Sequence, residues 1–227
     1  GGNEKYYMNL IADAMEPYLA ASGIQFTRNT PDMTAASSIA ASNAGNYDLH
    51  LALHSNAVGS GQQSTVRGID AYYYPASVNG KRFADIAANN LQLIYPLPGM
   101  VKTVPTTRLG EVARVRAPGV LIELGYHDNP LDADWIRNNI NNIAENLVLS
   151  LTEYFGIPFN MPQPIQVGYV STEGSNLNIR SRPDIGAPII GKIPNGSEIL
   201  IYNRLPEWDL AGWGGVMGYV SSRYVAV

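Results

Sequence analysis

The chain has 227 residues, which is enough for one large domain and one small one, and its formal charge of −4 comes without any cluster of lysine and arginine. A nucleic-acid partner would need such a basic cluster, so none is expected. Apolar residues make up 45% of the chain and charged residues only 15%, which excludes a disordered protein.

The first two thirds of the chain alternate between helical and strand patterns. Apolar spacing predicts an amphipathic helix over residues 6–19, stopped by Gly23, and then a short strand over 24–27. Further along, the patterns predict strands over 47–54 and 68–74, helices over 81–94 and 132–155, and a strand buried on both faces at 119–124. This alternation predicts an α/β fold with a helix-flanked sheet.

The composition and the periodicity of the sequence change after residue 155. Three prolines and weak periodicity mark a linker, placed at 158–166, between a first domain over 1–157 and a second over 167–227. The second domain contains only short strand patterns separated by glycine, proline and asparagine turns, which predicts a small all-β barrel without helices. No apolar run is long enough to span a bilayer, and no signal segment opens the chain.

Three ionisable residues lie where a predicted strand or helix begins or ends. Glu4 precedes the first helix, His54 closes the strand over 47–54, and Glu123 interrupts the apolar run at 119–124. A carboxylate in such a run is costly unless it is paired, hydrogen-bonded or set beside a metal ion. Because the chain has no cysteine, imidazole and carboxylate groups must hold any metal ion.

Each of these residues also has a purely structural interpretation. Glu4 could complement a helix N-terminus, His54 could bond a backbone carbonyl, and Glu123 could pair with Arg114 or Arg116. A second histidine, His50, lies four residues before His54. On a strand the two would lie roughly 13 Å apart, too far to share one metal ion.

The residues follow one another in an ordered series. The series is Glu4, Thr27-Arg28, Asp32, Asp48, the turn Ala52-Leu53-His54-Ser55-Asn56, Gly68-Ile69, Val112-Ala113-Arg114, Ala117-Pro118, Glu123-Leu124-Gly125-Tyr126 and Asn129. In this order the chain resembles the zinc-dependent N-acetylmuramoyl-L-alanine amidases of the amidase type 3 family over roughly residues 1–156. The resemblance implies an amidase/phosphorylase-like fold with a mixed or parallel sheet.

The resemblance also implies a zinc site and a reaction. In that family the zinc ligands are a histidine in a glycine-rich turn, a glutamate and a second histidine, which carries zinc onto Glu4 and His54. The first histidine and its strand would lie upstream of Gly1, and His127 is a candidate substitute. Glu123 matches the general base and acid that hydrolyses the amide between the lactyl group of the glycan and L-alanine of the stem peptide.

The C-terminal part resembles a bacterial SH3 domain. Residues 177–183, LNIRSRP, match its Leu-Asn-Val-Arg-Ser-x-Pro turn. Such a domain implies peptidoglycan binding in an aromatic groove and a secreted autolysin held at the cell wall, outside the cell. The candidate groove residues are Tyr202, Trp208, Trp213, Tyr219 and Tyr224.

Two other functions use the same residues. The first is a peptidoglycan-binding protein that kept the amidase fold without metal or catalysis. The second is a zinc carboxypeptidase acting on the stem peptide, which would need a cationic clamp for a terminal carboxylate, and the sequence offers no assignable clamp.

Overall fold

The computed structural model describes residues 3–59 and 64–227, and these fall into two compact units. The first unit contains the described residues up to Met15 together with Thr27–Phe155, and the second contains Glu16–Phe26 together with Gly156–Val227. Within the described residues, no helix has the length and apolar character needed to cross a bilayer.

Six helices and four strands account for the described regular structure before residue 156, apart from one short 3₁₀ turn at Pro98–Met100. The helices are α1 (Glu4–Ala21), α2 (Ala35–Ala44), α3 (Val78–Gln92), α4 (Gly110–Ala113), α5 (Pro130–Asn138) and α6 (Ile140–Phe155). The strands are β1 (His50–Asn56), β2 (Ile69–Tyr73), β3 (Val101–Pro105) and β4 (Gly119–Tyr126). The predicted helix-flanked α/β architecture is confirmed.

Two predicted elements differ from the structure. Residues 24–27 do not form a strand, because among residues 3–59 and 64–227 no strand pairs with them to satisfy their backbone groups. The predicted helix over 132–155 is two helices, since Asn139 leaves helical geometry and its side chain caps the Trp135 carbonyl at 2.8 Å. The sequence pattern predicted none of α2, β3 and α4.

The sheet has the order β1-β4-β2-β3 and is mixed. β1 runs parallel to β4, β2 runs antiparallel to β4, and β3 runs parallel to β2. One face carries fully buried apolar side chains such as Ile69, Ala71 and Ile122. On that side α3 packs against three of the strands and against α6, so this face holds the main core of the unit.

The opposite face is covered in part by the short helix α4. Val112 of α4 forms a small buried cluster with Ala52 of β1 and Leu121 of β4. Close approach of the helix depends on Gly119, where a Cβ atom would lie 2.8 Å from the carbonyl oxygen of Glu111. The absence of a side chain at this position lets α4 pack against the beginning of β4.

A buried carboxylate ties together three segments of the first unit. Asp132 is fully buried and accepts hydrogen bonds from Arg67 Nε at 2.7 Å and from the Tyr95 hydroxyl at 2.7 Å. It also accepts from the backbone N–H groups of Tyr126 at 3.0 Å and Gly68 at 3.2 Å. The side chain therefore fixes the start of β2, the end of β4 and the first turn of α5.

Replacing Asp132 should destabilise the first unit strongly. Asp132→Ala leaves Arg67 without its buried partner, so we expect a loss of about 3–5 kcal/mol in the free energy of unfolding. The matched control is Asp134→Ala, which removes a solvent-exposed pair with Arg137 and should cost less than about 1 kcal/mol. Urea unfolding followed by far-ultraviolet circular dichroism measures both. Equal stability losses would contradict the assignment.

The second unit contains an all-antiparallel sheet of seven strands. They are β5 (Gln166–Val170), β6 (Leu177–Arg180), β7 (Ile189–Ile193), β8 (Glu198–Arg204), β9 (Trp208–Trp213), β10 (Val216–Ser221) and β11 (Val225–Ala226), in the order β11-β5-β8-β9-β10-β6-β7. The predicted all-β character of residues 167–227 is confirmed, with one short 3₁₀ turn at Ser222–Tyr224 as the helical exception, while the unit also includes the end of α1. Its core consists of small and β-branched apolar residues, among them Ile179, Ile193, Ile199 and Ile201.

A tight hairpin joins two strands of this unit. β9 ends at Trp213 and β10 begins at Val216. Gly214 and Gly215 between them have φ angles of 58° and 80°. Two consecutive positive φ angles are the geometry of a two-residue hairpin turn, which glycine adopts without strain.

Candidate active site

A row of polar side chains crosses one face of the first sheet. His54 of β1 pairs in register with Glu123 of β4, Glu123 pairs with Asp70 of β2, and Asp70 pairs with Lys102 of β3. Residues in register on neighbouring strands project from the same face. We call these four residues the polar row. It lies on the face that α4 partly covers, opposite the apolar face.

Glu4 reaches the β1 end of the polar row from the first turn of α1. Its Oε1 atom lies 3.1 Å from His54 Nδ1 and accepts the backbone N–H of Ser55 at 3.0 Å. Both side chains are 36% exposed, so the pair is open to solvent. The hydrogen bond and the neighbouring imidazole of His54 hold the pKa of the Glu4 carboxyl below its usual value.

A second carboxylate, Glu111 of α4, contacts the other edge of the His54 ring. Its Oε2 atom lies 3.0 Å from His54 Nε2, and its Oε1 atom lies 3.9 Å from His50 Nε2. His50 and His54 lower the pKa of Glu111 to about 2. Glu111 and Glu4 together raise the pKa of His54 to about 10. The imidazole therefore lies between two carboxylates, one on each ring nitrogen.

Glu123 has a different environment from these two carboxylates. Its Oε2 atom is buried, and among the described residues it has no hydrogen-bond partner. Burial, with Glu4 and Asp70 nearby, raises the pKa of Glu123 to about 7 although His54 acts in the opposite direction. The described ion pairs include none between Glu123 and Arg114 or Arg116, the structural pairing that the sequence allowed.

The two remaining histidines occupy structural positions beside the site. His50 Nδ1 lies 3.0 Å from the Ser42 hydroxyl. His127 Nδ1 lies 3.0 Å from both the hydroxyl and the carbonyl oxygen of Ser55. His127 also lines a small cavity with Glu4, Tyr7 and Ser55, so it remains a candidate for a contact next to Glu4.

Glu4 and His54 fit a zinc ion as a pair of ligands. Zinc binds imidazole nitrogen and carboxylate oxygen at about 2.0–2.2 Å, so two such ligands around a tetrahedral ion lie about 3.3–3.6 Å apart. The observed 3.1 Å between His54 Nδ1 and Glu4 Oε1 is slightly shorter than this spacing. Within residues 3–59 and 64–227, no set of three histidine, aspartate or glutamate side chains is arranged to hold a metal ion.

The second unit contains a groove that two of the five predicted aromatic residues line. Tyr202 and Trp213 lie there beside Leu200, Met217 and Gln25. A Cβ atom at Gly212 would lie 2.9 Å from the Tyr202 ring, so this glycine leaves room for the ring beside β9. Tyr219 was wrongly predicted to line the groove, because its side chain is 3% exposed and belongs to the interior.

Sequence reasoning missed Glu111 and Asp70. Asp70 alternates with buried residues in β2, and the alternation alone could have placed it on the polar face. Glu111 lies in a four-residue helix, which is too short to show helical periodicity, so no sequence pattern predicted its position.

Comparison with known proteins agrees with this geometry. Residues 1–153 match the family model of N-acetylmuramoyl-L-alanine amidase, and residues 175–226 match that of the bacterial SH3 domain. A comparison with curated protein sequences found no match.

Several solved amidase structures share the fold of the first part of the chain. N-acetylmuramoyl-L-alanine amidase from Clostridium difficile 630 is 18% identical with a TM-score of 0.60, covering 68% of this chain and 85% of that one. The catalytic domain of CwlV from Bacillus (Paenibacillus) polymyxa var. colistinus is 20% identical with a TM-score of 0.59, covering 69% and 87%. Ami1 from Mycobacterium smegmatis is 18% identical with a TM-score of 0.60, covering 69% and 78%.

The family match spans more than half of the chain and includes every residue of the polar row together with Glu4 and Glu111. The protein therefore belongs to the N-acetylmuramoyl-L-alanine amidase family and carries a bacterial SH3 domain after its amidase domain.

Proposed function

We propose that the protein is a zinc-dependent amidase that hydrolyses the bond between the lactyl group of N-acetylmuramic acid and L-alanine of the peptidoglycan stem peptide. The observation that carries this proposal is the arrangement around His54. A carboxylate and an imidazole nitrogen lie 3.1 Å apart, and a buried carboxylate with a raised pKa lies on the adjacent strand in register. Family membership supplies the substrate class.

Glu4 and His54 are the proposed zinc ligands, with His127 or a residue outside the described arrangement as the third. Zinc supplies a Lewis acid that polarises the scissile carbonyl and lowers the pKa of water. Both side chains are partly exposed, so a polymeric substrate has access to them. Oε1 of Glu4 is held by the Ser55 backbone N–H, which fixes the direction of the carboxylate before any ion binds.

Glu123 is the proposed general base and acid. Proton transfer in both directions is most effective when the pKa of the group lies near the working pH, and the Glu123 pKa is raised to about 7. Its buried Oε2 atom is unpaired among the described residues, so it is free to accept a proton from the attacking water. It then passes that proton to the departing amine of L-alanine.

The second unit is the proposed cell-wall anchor. Its groove presents the Tyr202 and Trp213 rings, and flat aromatic surfaces beside glycine-rich backbone suit extended peptide or glycan ligands. Peptidoglycan is the proposed partner of both units. An extracellular location at the cell wall follows from that substrate.

The protein should bind about one zinc ion per chain, and a chelator should remove it. Glu4→Gln and His54→Ala should each lower zinc occupancy because each removes a proposed ligand. His127→Ala should also release zinc if His127 is the third ligand. Elemental analysis after gel filtration measures the metal content. A wild-type chain without zinc would support the binding-only alternative, in which the fold is kept without catalysis.

Glu123→Gln should lower turnover by about 10²- to 10⁴-fold, which is the usual share of general acid–base catalysis. The amide keeps the size of the side chain but cannot accept the proton. The assay is the release of new peptide N-termini that begin with L-alanine from purified peptidoglycan, at matched zinc occupancy. If both forms release them equally, Glu123 has another role, and release of other termini would point to a carboxypeptidase or endopeptidase.

Tyr202→Ala should weaken sedimentation of the protein with purified cell walls and leave cleavage of soluble muropeptides unchanged. A point variant is preferable to deletion of the C-terminal residues, because Glu16–Phe26 pack within the same unit and deletion would uncover them. The matched control is Tyr169→Ala, since Tyr169 is 51% exposed and lies outside the groove. Equal loss of wall binding in both variants would contradict the groove assignment.

A further inference from the structure

Glu111 has no role in the proposed reaction, yet it contacts the proposed ligand His54 directly. Its side chain is only 13% exposed, while the two proposed ligands are 36% exposed. Its Oε2 atom lies 3.0 Å from His54 Nε2, which is hydrogen-bonding distance. Burying a carboxylate at this position costs desolvation free energy, and the hydrogen bond with His54 offsets part of that cost.

We propose that Glu111 is a positioning residue that accepts the Nε2–H of His54 and so leaves Nδ1 as the metal-binding atom. This inference rests on the proposed function, because it takes His54 as a zinc ligand. A neutral imidazole carries hydrogen on one nitrogen and a lone pair on the other. In the zinc-bound state Glu4 would bind the ion, whereas Glu111 would remain a hydrogen-bond acceptor, so the nitrogen that faces Glu111 carries the hydrogen. The lone pair then lies on Nδ1, the nitrogen 3.1 Å from Glu4 Oε1.

The fold holds Glu111 in place from several sides. The next residue, Val112, is buried against Ala52 and Leu121, which lie two residues before His54 and Glu123 on the same face of their strands. Gly119 has no side chain, so the backbone of Glu111 can approach β4. A Cβ atom added to Gly119 would lie 2.8 Å from the carbonyl oxygen of Glu111. The helix α4 therefore sets the position of the carboxylate relative to the His54 ring.

His50 supports the same carboxylate from the other side. Its Nδ1 atom lies 3.0 Å from the Ser42 hydroxyl, and its buried Nε2 atom lies 3.9 Å from Glu111 Oε1. His50 and His54 lie on the same strand face, and the Glu111 carboxylate lies between them, within hydrogen-bonding distance of His54 and 3.9 Å from His50.

Glu111 is not placed to be a ligand of the same ion as Glu4. The two carboxylates face opposite nitrogens of one ring, and one nitrogen of an imidazole binds one ion. The arrangement instead matches the carboxylate–histidine–metal pattern, in which the outer carboxylate fixes the ring orientation. Loss of such an outer carboxylate typically lowers metal affinity by about 10- to 100-fold.

The test measures zinc affinity of the full chain by competition with a chromogenic chelator. Glu111→Ala should lower the affinity by about 10- to 100-fold. Glu111→Gln should lower it less, because the amide oxygen still accepts the Nε2–H. Glu153→Ala, which removes an exposed glutamate of α6, should leave the affinity unchanged. Equal losses in the alanine and glutamine variants would mean that Glu111 is itself a ligand, which would overturn the proposal.

A second readout reports the ring directly. Nitrogen-15 NMR of the zinc-loaded protein identifies which nitrogen of His54 carries hydrogen, and we expect Nε2–H in the wild type and in Glu111→Gln. Hydrogen on Nδ1 in the wild type would overturn the proposal. If Glu111→Ala does not fold, the zinc affinity of Glu111→Gln and the nitrogen-15 signal of His54 still test the role of Glu111.

The two proposals fail in different ways. A wild-type chain that binds no zinc would overturn the proposed function and this inference with it. A wild-type chain that binds zinc with the same affinity as folded Glu111→Ala would overturn only the role of Glu111.

Discussion

The parallel pairing of β1 with β4 is the constraint on which the site depends. It sets His54 opposite Glu123 in a register that a shift of one residue would destroy, because every side chain would then turn to the other face. The apolar residues that flank Glu123 in β4, Ile122 and Leu124, are fully buried, and α3 packs against β4, so the core and not the polar residues enforces the register of this strand. Packing on one face thus determines the chemistry on the other.

The polar face is organised by short elements and by close backbone contacts. α4 has four residues and little helical stability of its own, and it is held by Val112 and by the space that Gly119 leaves. The first turn of α1 brings Glu4 to His54 from a distant part of the sequence. Three carboxylates consequently surround one imidazole, two as hydrogen-bond acceptors on the ring and one as a paired residue on the next strand.

The three carboxylates differ because their surroundings differ. Hydrogen bonds from imidazole lower the pKa values of Glu4 and Glu111, whereas burial without a described partner raises the pKa of Glu123. This separation suits a division of labour in which two carboxylates stay ionised and the third exchanges a proton at neutral pH. The same residue type therefore suits the three proposed roles of ligand, orienting group and proton-transfer group within one site.

The sequence alone determined the two-part architecture and most helices and strands, because periodicity is local in the chain, and its ordered motifs predicted Glu4, His54 and Glu123 as site residues. It misassigned residues 24–27 as a strand and 132–155 as one helix, because a strand needs a partner and a single side chain can end a helix. Only the tertiary structure placed Glu111 on the His54 ring and Asp70 beside Glu123. Those contacts join residues more than fifty positions apart, and strand register and backbone packing decide them.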